Sequence, residues 1–306
     1  MKLEFKKSSI KGYTSVIIPV YRDADGLEQT LTSLKNQSIP DSDYEVIVGN
    51  DGGGTEISDL CVNYNVKEVA IVPNKGSYYA RNRALEESRG EYIAFVDADI
   101  SVPEYWLAAG IQKLQYFDYV GGPVVIDKVK VHEPEHLYEQ LHGFPCEKFF
   151  YEQHFCVTAN LFVKRIVIED IGGFVSRLRS GGDNEFGKRV YLSGKYKQEF
   201  SESITVLHPP RGFRKLIKKG IRLHRGRILL NKMFPDRYNY EKPRSRTLIL
   251  DMALPPRISS VKKIFTDENK FSFFQKYWFI WKYKFYMHLN LYKLYYSSNQ
   301  RTEIEE

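Results

Sequence analysis

The chain of 306 residues predicts an α/β fold, in which a mostly parallel sheet is flanked by helices and followed by a basic helical extension. Short β-rich runs alternate with amphipathic segments through the first half of the chain, as they do in parallel sheets covered on both faces. Acidic or turn-forming clusters follow three of these runs, at Tyr21–Asp25, Asn50–Gly54 and Asp97–Asp99. Because such sheets bind ligands beyond the carboxyl ends of their strands, we expect the site at these clusters.

The elements follow from hydrophobic periodicity. The predicted strands are Ser15–Pro19, Val46–Val48, Val69–Val72 and Tyr92–Val96, and an apolar run follows later at Tyr119–Val125. The predicted helices are a first segment with Leu27, Leu31 and Leu34 at helical spacing, then Glu56–Tyr64, Ser77–Ser88, Glu104–Phe117 and Asp183–Leu192. The alternation lapses over Asp127–Gln153, where a loop or small insertion is expected. Two short apolar runs, Phe155–Thr158 and Leu161–Val163, follow it.

Composition excludes several classes of protein. The chain is 42% hydrophobic and contains 19 Phe, 22 Tyr and 3 Trp, so it is not mainly disordered. Its three cysteines, at positions 61, 146 and 156, have no metal-ligand spacing, which disfavours a zinc module or disulfide scaffold and favours a reducing compartment. No run approaches the ~20 apolar residues of a membrane span. Val16–Val20 is too short for a signal-peptide core, and we expect a soluble intracellular protein.

Charge is distributed unevenly along the chain. Residues 1–210 contain 23 Lys and Arg against 30 Asp and Glu, whereas residues 211–306 contain 22 against 8. The formal net charges are therefore −7 and +14, which suggests different partners for the two parts. We accordingly predict two domains, an α/β domain over residues 1–210 and a basic, aromatic-rich helical extension over residues 211–306.

Asp97 and Asp99 lie two residues apart at the end of an apolar strand. The two-residue period of a strand predicts that both carboxylates face the same side. Such a pair suits Mg²⁺ or Mn²⁺ carrying a phosphorylated ligand, and a solvated turn is the alternative. Gly52–Gly54 lack the spacing of a P-loop or dinucleotide site, so a tight turn is favoured there. Asp51, just before them, can accept a hydrogen bond from a base or ribose.

Four other side chains have two interpretations each. Asp183 follows two glycines and opens a helix, so it is either an N-cap or a general base. His208 lies between an apolar run and two prolines, as a structural histidine or a metal ligand. Lys75 and Arg81 flank the start of a predicted helix, either on a solvated surface or balancing a diphosphate.

Taken in order, four segments of the chain resemble glycosyltransferase family 2, a group of inverting enzymes with a GT-A (Rossmann-like) fold. TSVIIPVYRDADG resembles the family's first strand and donor loop, and VIVGNDGGG resembles its second strand and acidic turn. NKGSYYARNRALEESRGEYIAFVDADI resembles the stretch that runs into the DXD motif. GGDNEFGKRVYLSG resembles the segment that carries the catalytic base. The likeness covers about two thirds of the chain, from Thr14 to Pro210.

The resemblance implies roles for individual residues. Those implied in donor binding are Pro19, Val20, Tyr21, Asp23, Asp51, Lys75, Gly76, Arg81, Asp97 and Ala98. Asp99 and His208 would bind the metal, and Asp183 would be the catalytic base. Arg189 would orient the helix of the base or the diphosphate. The implied cofactors are Mn²⁺ or Mg²⁺ and a nucleotide sugar, with UDP the most frequent nucleotide in the family.

The activity implied is metal-dependent, inverting transfer of a sugar to a hydroxyl of a glycan or lipid-linked acceptor in polysaccharide or glycoconjugate synthesis. Three residues depart from the family pattern: Arg22 stands in place of Asn, Asn50 in place of Asp and Gly182 in place of Glu. A sugar nucleotidyltransferase is one alternative, disfavoured because no glycine-rich phosphate loop with Arg or Lys follows the first strand. A non-catalytic membrane- or polyanion-binding module is another, disfavoured by the presence of all three aspartates that the family's site requires.

The basic extension suggests a surface partner. Arg211–Arg227 holds eight Lys and Arg and no acid, and Phe271–Tyr296 interleaves lysines with aromatic residues. This pattern is typical of an interfacial helix on an anionic membrane, and would place the protein in the cytoplasm, peripheral on the inner face of the cell membrane. The alternatives are packing on the catalytic domain and a homodimer, and no nucleic acid is expected as a partner.

Overall fold

A computed structural model of the chain describes residues 3–130, 132–259, 261 and 271–296. The chain divides into two compact units. The first unit comprises Met1–Val125 and Phe144–Pro209, and the second comprises Ile126–Gly143 and Pro210–Glu306. The second unit thus takes in part of the segment in which the alternation of strands and helices lapses.

The first unit is built on a seven-stranded sheet, in the order β3-β2-β1-β4-β7-β5-β8, and a two-stranded sheet pairs β6 with β9. The strands are β1 (Ile10–Val20), β2 (Tyr44–Asn50), β3 (Lys67–Ala70), β4 (Gly90–Val96), β5 (Tyr119–Gly121), β6 (Val124–Ile126), β7 (Asn160–Lys164), β8 (Gln198–Phe200) and β9 (Val206–His208). β7 runs antiparallel to β4 and β5, and the other pairs of the large sheet are parallel. The predicted mostly parallel sheet is confirmed.

Among its described residues, the first unit contains seven α-helices: α1 (Ala24–Leu34), α2 (Thr55–Asn63), α3 (Ser77–Glu86), α4 (Trp106–Leu114), α6 (Cys146–Gln153), α7 (Arg165–Ile171) and α8 (Gly182–Ser193). In α1, Leu27, Leu31 and Leu34 are each at most 2% exposed, as their helical spacing predicts. Every residue from Val16 to Val20 in β1 is buried, because the sheet is covered on both faces.

Two segments are resolved further by the structure. The apolar run Tyr119–Val125 forms two short strands, because Pro123 has no N–H to donate and the chain leaves strand geometry at Gly122. Of the two alternatives for residues 127–153, a loop is wrong, since two helices lie there: α6 and α5 (Pro134–His142), a helix of the second unit with proline in its first turn.

The direction of the strand order changes at β1, with β2 and β3 on one side and β4 on the other. Because β1, β2 and β4 are parallel, their carboxyl ends lie at one edge of the sheet. The clusters Tyr21–Asp25, Asn50–Gly54 and Asp97–Asp99 follow these three strand ends directly. They therefore lie at the topological switch point, where open α/β sheets bind ligands.

The described part of the second unit is helical, with α5, α9 (Phe213–Met233), α10 (Ser245–Ala253) and α11 (Phe273–Tyr296). Its apolar core is formed by Ile217, Leu248, Met287, Leu291 and Leu294. Within the residues that the structure describes, no helix combines the length and the hydrophobicity needed to cross a membrane.

The acid stability of the first unit should depend on Glu87, the residue that follows α3. Its carboxylate lies 2.5 Å from the ammonium groups of Lys6 and Lys67. Hydrogen bonds from these two lysines lower the pKa of Glu87 to about 2, against 4.5 for a free side chain. Since the folded pKa is the lower one, this stabilisation is fully present above about pH 4.5 and is lost as the pH falls toward 2.

We therefore expect Glu87→Gln to flatten the dependence of the unfolding free energy on pH between about pH 5 and pH 2. Urea unfolding of both proteins across this range measures it. Glu104→Gln, at an exposed position of the same unit, is the matched control and should keep the original slope. Parallel profiles for the wild type and Glu87→Gln would contradict the assignment.

Candidate active site

Asp97, Ala98 and Asp99 form a turn, because β4 already ends at Val96. The strand period that predicted a shared side for the two carboxylates therefore does not apply. Asp97 accepts a hydrogen bond from the guanidinium of Arg81, whereas Asp99 Oδ2 lies 3.2 Å from His208 Nε2. The two carboxylates thus have separate partners, a buried cation and an imidazole.

His208 is brought to Asp99 by a β-bridge. Ser101 and Leu207 exchange backbone hydrogen bonds of 2.8 and 2.9 Å, which fixes the end of β9 beside the turn after β4. His208 is 1% exposed, and its Nδ1 contacts the carbonyl oxygen of Pro209. An Nδ1 that donates to this carbonyl leaves a lone pair on Nε2, which is the tautomer that binds metals.

This pair fits a divalent metal. Among the described residues His208 Nε2 is buried without a hydrogen-bond partner, and it faces the Asp99 carboxylate. A carboxylate oxygen and an imidazole lone pair 3.2 Å apart repel each other, and a cation bound to both atoms would turn this repulsion into attraction. No cluster of three or more His, Cys, Asp and Glu side chains suited to a metal occurs in residues 3–130, 132–259, 261 and 271–296. Mg²⁺ and similar ions commonly complete such a sparse set with water and substrate phosphates.

Arg81 lies on α3 and is only 3% exposed, so its charge needs a partner nearby. Asp97 supplies that partner, and the ring of Tyr78 lies 5.6 Å from the guanidinium carbon. Tyr78 is one helical turn before Arg81, which places the two side chains on one face of α3. The phenol in turn donates a hydrogen bond of 3.1 Å to Asp183 Oδ1.

Asp183 lies in the first turn of α8 and is partly exposed. Besides the phenol of Tyr78, the backbone N–H of Asn184 donates to its Oδ1 at 2.9 Å. Both donors stabilise the ionised carboxylate, as does the positive end of the helix. A contact chain therefore runs from Asp183 through Tyr78 and Arg81 to Asp97. It connects the two carboxylate regions that the sequence motifs predicted.

Gly182 is explained by Tyr78. A Cβ at position 182 would lie 2.8 Å from the phenol ring, so any side chain there would push the ring away. The loss of the family's Glu at this position is thus coupled to the close approach of the tyrosine that holds Asp183.

Arg189 anchors α8. It makes two 2.9 Å contacts with Glu185, which is 1% exposed, and donates at 2.6 Å to the carbonyl oxygens of Ile171 and Gly173. These bonds tie α8 to the end of α7. Of the two roles expected for Arg189, the geometry supports orientation of the helix.

Asp51 organises the loop that begins α3. It is 2% exposed and accepts 2.7 Å hydrogen bonds from the side chain of Asn74 and the backbone N–H groups of Lys75 and Gly76. Arg179 donates to the other end of the Asn74 amide at 2.7 Å. The carboxylate predicted to bond the base is therefore also the support of this loop.

A family model described as "Glycosyl transferase family 2" matches residues 15–174. The chain belongs to this family. It is 34% identical over 223 residues to the glycosyltransferase AglE of Haloferax volcanii, and the matched region covers 71% of this chain and 73% of AglE. The predicted family and the predicted enzyme class, a glycosyltransferase, are confirmed.

Two solved glycosyltransferases share the fold. The mannosyltransferase PcManGT from Pyrobaculum calidifontis, in complex with GDP-Man and Mn²⁺, superposes with a TM-score of 0.62 at 15% identity, over 97% of this chain and 91% of that one. S. aureus TarS 1-349 in complex with UDP-GlcNAc gives a TM-score of 0.50 at 20% identity, over 69% of this chain and 66% of that one. This likeness establishes the GT-A fold of the family 2 chain.

The other residues implied in donor binding occupy varied positions. Pro19 is buried in β1, and the side chains of Val20 and Ala98 belong to the apolar core. Tyr21 is 46% exposed, and Asp23 caps α1 by accepting from the N–H of Gly26. Tyr21 and Asp23 therefore lie at the edge of the sheet where β1 ends. The ammonium group of Lys75 lies 4.8 Å from the ring centre of Tyr79.

The residues that support this family 2 site were missed by sequence reasoning. Tyr78 was detectable, since it precedes Arg81 by three residues on a predicted helix. Thr30 had no such signal: it is fully buried in α1, and its hydroxyl bonds both the N–H and the carbonyl of Ile100, at 3.1 and 2.8 Å. Through these bonds α1 fixes the turn that carries the two aspartates.

Proposed function

We propose that this enzyme transfers a sugar, with inversion, from a nucleotide-diphosphate donor to a hydroxyl group of a glycan or lipid-linked acceptor, and that it requires a divalent metal. The observation that carries the proposal is the contact chain from Asp183 to Asp97. Along it, a partly exposed carboxylate suited to accept a proton and a buried guanidinium belong to one series of contacts, which supports the proposal. The pair formed by His208 and Asp99, which follows Asp97 by two residues in the sequence, supports metal dependence.

Asp99 and His208 would hold Mn²⁺ or Mg²⁺ through a carboxylate oxygen and an imidazole nitrogen. Such a metal, when bound, stabilises the negative charge of the diphosphate. Arg81 and Lys75 contribute further positive charge on the protein side. Asp51 keeps the loop in place from which Lys75 projects, so the cationic side of the site is organised before substrate binds.

Asp183 acts as the general base. It accepts the proton of the acceptor hydroxyl while that oxygen bonds to the anomeric carbon, and the bond from the anomeric carbon to the diphosphate oxygen breaks in the same step. The electron pair of the broken bond leaves with the nucleoside diphosphate. Tyr78 and the Asn184 N–H hold the carboxylate in one orientation, which limits the loss of entropy at the transition state.

For the nucleotide, we propose UDP, in line with family frequency and with the UDP-GlcNAc bound by TarS. GDP is the competing choice, because PcManGT binds GDP-Man. Thermal unfolding with Mn²⁺ and UDP, GDP, CDP or TDP separates them, since a ligand that binds only the native state raises the melting temperature. A metal-dependent rise with UDP is expected. No rise with any nucleotide would favour a binding module.

The metal pair has its own prediction. His208→Ala is expected to abolish the part of the UDP affinity that depends on Mn²⁺, because one of the two proposed protein ligands of the metal is then lost. His132→Ala, at an exposed position, is the control and should keep it. Calorimetric titration of UDP with and without Mn²⁺ measures the effect. An unchanged metal dependence in His208→Ala would place the metal elsewhere.

Product analysis tests the reaction class. A glycosyltransferase releases a nucleoside diphosphate, whereas a sugar nucleotidyltransferase releases pyrophosphate. We expect nucleoside diphosphate from a UDP-sugar.

We also propose a location that follows from the acceptor class. If the acceptor is lipid-linked, the enzyme works as a peripheral protein on the inner face of the cell membrane. The alternative role of residues 211–296 is to form a homodimer.

A further inference from the structure

Helix α11 is apolar on two opposite faces. One face is buried in the second unit and contains Phe279, Ile280, Met287, Leu291 and Leu294, with the buried Lys276 at its start. The opposite face consists of Phe274, Trp278, Trp281 and Phe285, which follow one another at intervals of four, three and four residues and therefore line up along the helix. We name these four residues the aromatic stripe.

The aromatic stripe is exposed. The exposed fractions are 80% for Phe274, 62% for Trp278, 37% for Trp281 and 41% for Phe285. The two indole rings contact each other edge to face at 5.5 Å between centroids, so they form one continuous surface. Four large aromatic side chains in a row on a water-exposed face mark an interaction surface, because single exposed hydrophobic residues are common but contiguous patches are not.

The second unit that carries the stripe is basic. α11 contains four lysines and no acid, although Lys276 is buried on its inner face and Lys284 pairs with Asp251, and α9 contains eight Lys and Arg and no acid. Lys282, which is exposed, follows Trp281 directly and lies one turn after Trp278. An exposed aromatic surface with a lysine beside it, on a strongly basic unit, complements a lipid surface with an apolar interior and negatively charged headgroups.

We propose that the aromatic stripe is an interfacial anchor that inserts into an anionic lipid surface, with α11 lying in the plane of the membrane. Trp and Phe side chains favour the boundary between headgroups and acyl chains. Lys282 beside them binds a lipid phosphate, and the net charge of residues 211–306 attracts the anionic surface. A second copy of this chain is the less favourable occupant, because residues 211–306 carry a formal charge of +14 and a symmetric dimer would bring two such regions together.

The test is sedimentation of the full chain with vesicles of phosphatidylcholine, with and without phosphatidylglycerol. We expect binding to the anionic vesicles that weakens as salt increases, and a blue shift of tryptophan emission on binding. Trp278→Ser combined with Trp281→Ser should lower the partition coefficient by about tenfold or more, since two large aromatic side chains lose their burial. Tyr105→Ser combined with Tyr116→Ser, two exposed aromatics of the first unit, is the matched control.

No binding to anionic vesicles at low salt would overturn the proposal, as would equal binding by the double tryptophan variant. Self-association of the wild type that this variant loses, seen by sedimentation velocity, would show that a second copy covers the stripe and would also overturn it. The assay contains no donor, acceptor or metal. Nucleotide-dependent stabilisation should be retained by the tryptophan variant, so the lipid anchor and the transfer activity can fail separately.

Discussion

Asp183→Asn is expected to lower the turnover number by about 10²–10⁴-fold and to leave donor binding close to the wild-type value. Asn has the shape of Asp but cannot take a proton from the acceptor. Its side-chain oxygen can still accept from Tyr78 and from the Asn184 N–H, so the start of α8 should keep its geometry. The loss should therefore appear in turnover rather than in the stability of the protein or in the affinity for the nucleotide.

The measurement is steady-state release of nucleoside diphosphate with saturating acceptor, together with calorimetric binding of UDP and Mn²⁺. Asp59→Asn is the matched control, because this aspartate is exposed on α2 of the same unit. Its turnover should equal that of the wild type. Full turnover in Asp183→Asn would show that another group takes the proton and would remove the central assignment of the site.

The fold followed from local pattern. The five consecutive buried residues of β1, Val16–Val20, read as a strand covered on both faces because the run is short, β-branched and bounded by a polar turn. The leucines of α1 similarly reported its buried face. These signals are local, so the strand and the helix are predicted without information from distant parts of the chain, whereas the pairing of β4 with β7 depends on long-range contacts.

The contact between Asp99 and His208 was beyond local pattern. Asp99 and His208 are separated by 108 residues, and they meet because Ser101 and Leu207 form a bridge that no periodicity announces. Only the resemblance to a family joined the two residues in advance. Asp97 and Asp99 also have different partners, because they lie in a turn and not in a strand. The two-residue period of a strand therefore does not describe where their side chains point.

The coupling of Gly182 to Tyr78 shows a second limit. In the sequence Gly182 is a departure from the family pattern that puts a paired carboxylate beside Asp183 in doubt. In the structure the missing side chain makes room for the phenol that donates to Asp183. Gly182 and Tyr78, 104 positions apart in the sequence, thus belong to one structural feature that local pattern does not reveal.

The composition of the second unit also depends on long-range contacts. Residues 126–143 and 210–306 form one unit, although residues 144–209 of the first unit separate them along the chain. Glu139 on α5 provides the electrostatic reason. Its side chain is 0% exposed and accepts hydrogen bonds from the backbone N–H of Arg211 at 2.6 Å, from Arg211 Nη1 at 2.7 Å and from Lys219 Nζ at 3.2 Å.

Glu139→Gln is expected to lower the free energy of unfolding of the second unit by about 3–5 kcal/mol, the cost of removing one partner from a buried ion pair. Burial alone would raise the pKa of Glu139, but Arg211 and Lys219 lower it below its ordinary value. Burial, with Arg211 nearby, also lowers the pKa of Lys219 to about 8, although the carboxylate opposes this shift. Without the carboxylate, the unit would hold two cations close together and would lose the charge that offsets their burial.

Amide hydrogen exchange measures this loss where it occurs, because opening of one unit is reported by the peptides of that unit. In Glu139→Gln, protection should fall in α5 and α9, whereas β1 and β4 of the first unit should keep theirs. Glu135→Gln, on the same helix but partly exposed, is the matched control and should change protection only slightly. Equal protection in α5 and α9 for wild type and Glu139→Gln would show that apolar packing around Ile217 and Leu248, rather than this buried carboxylate, joins the two segments of the second unit.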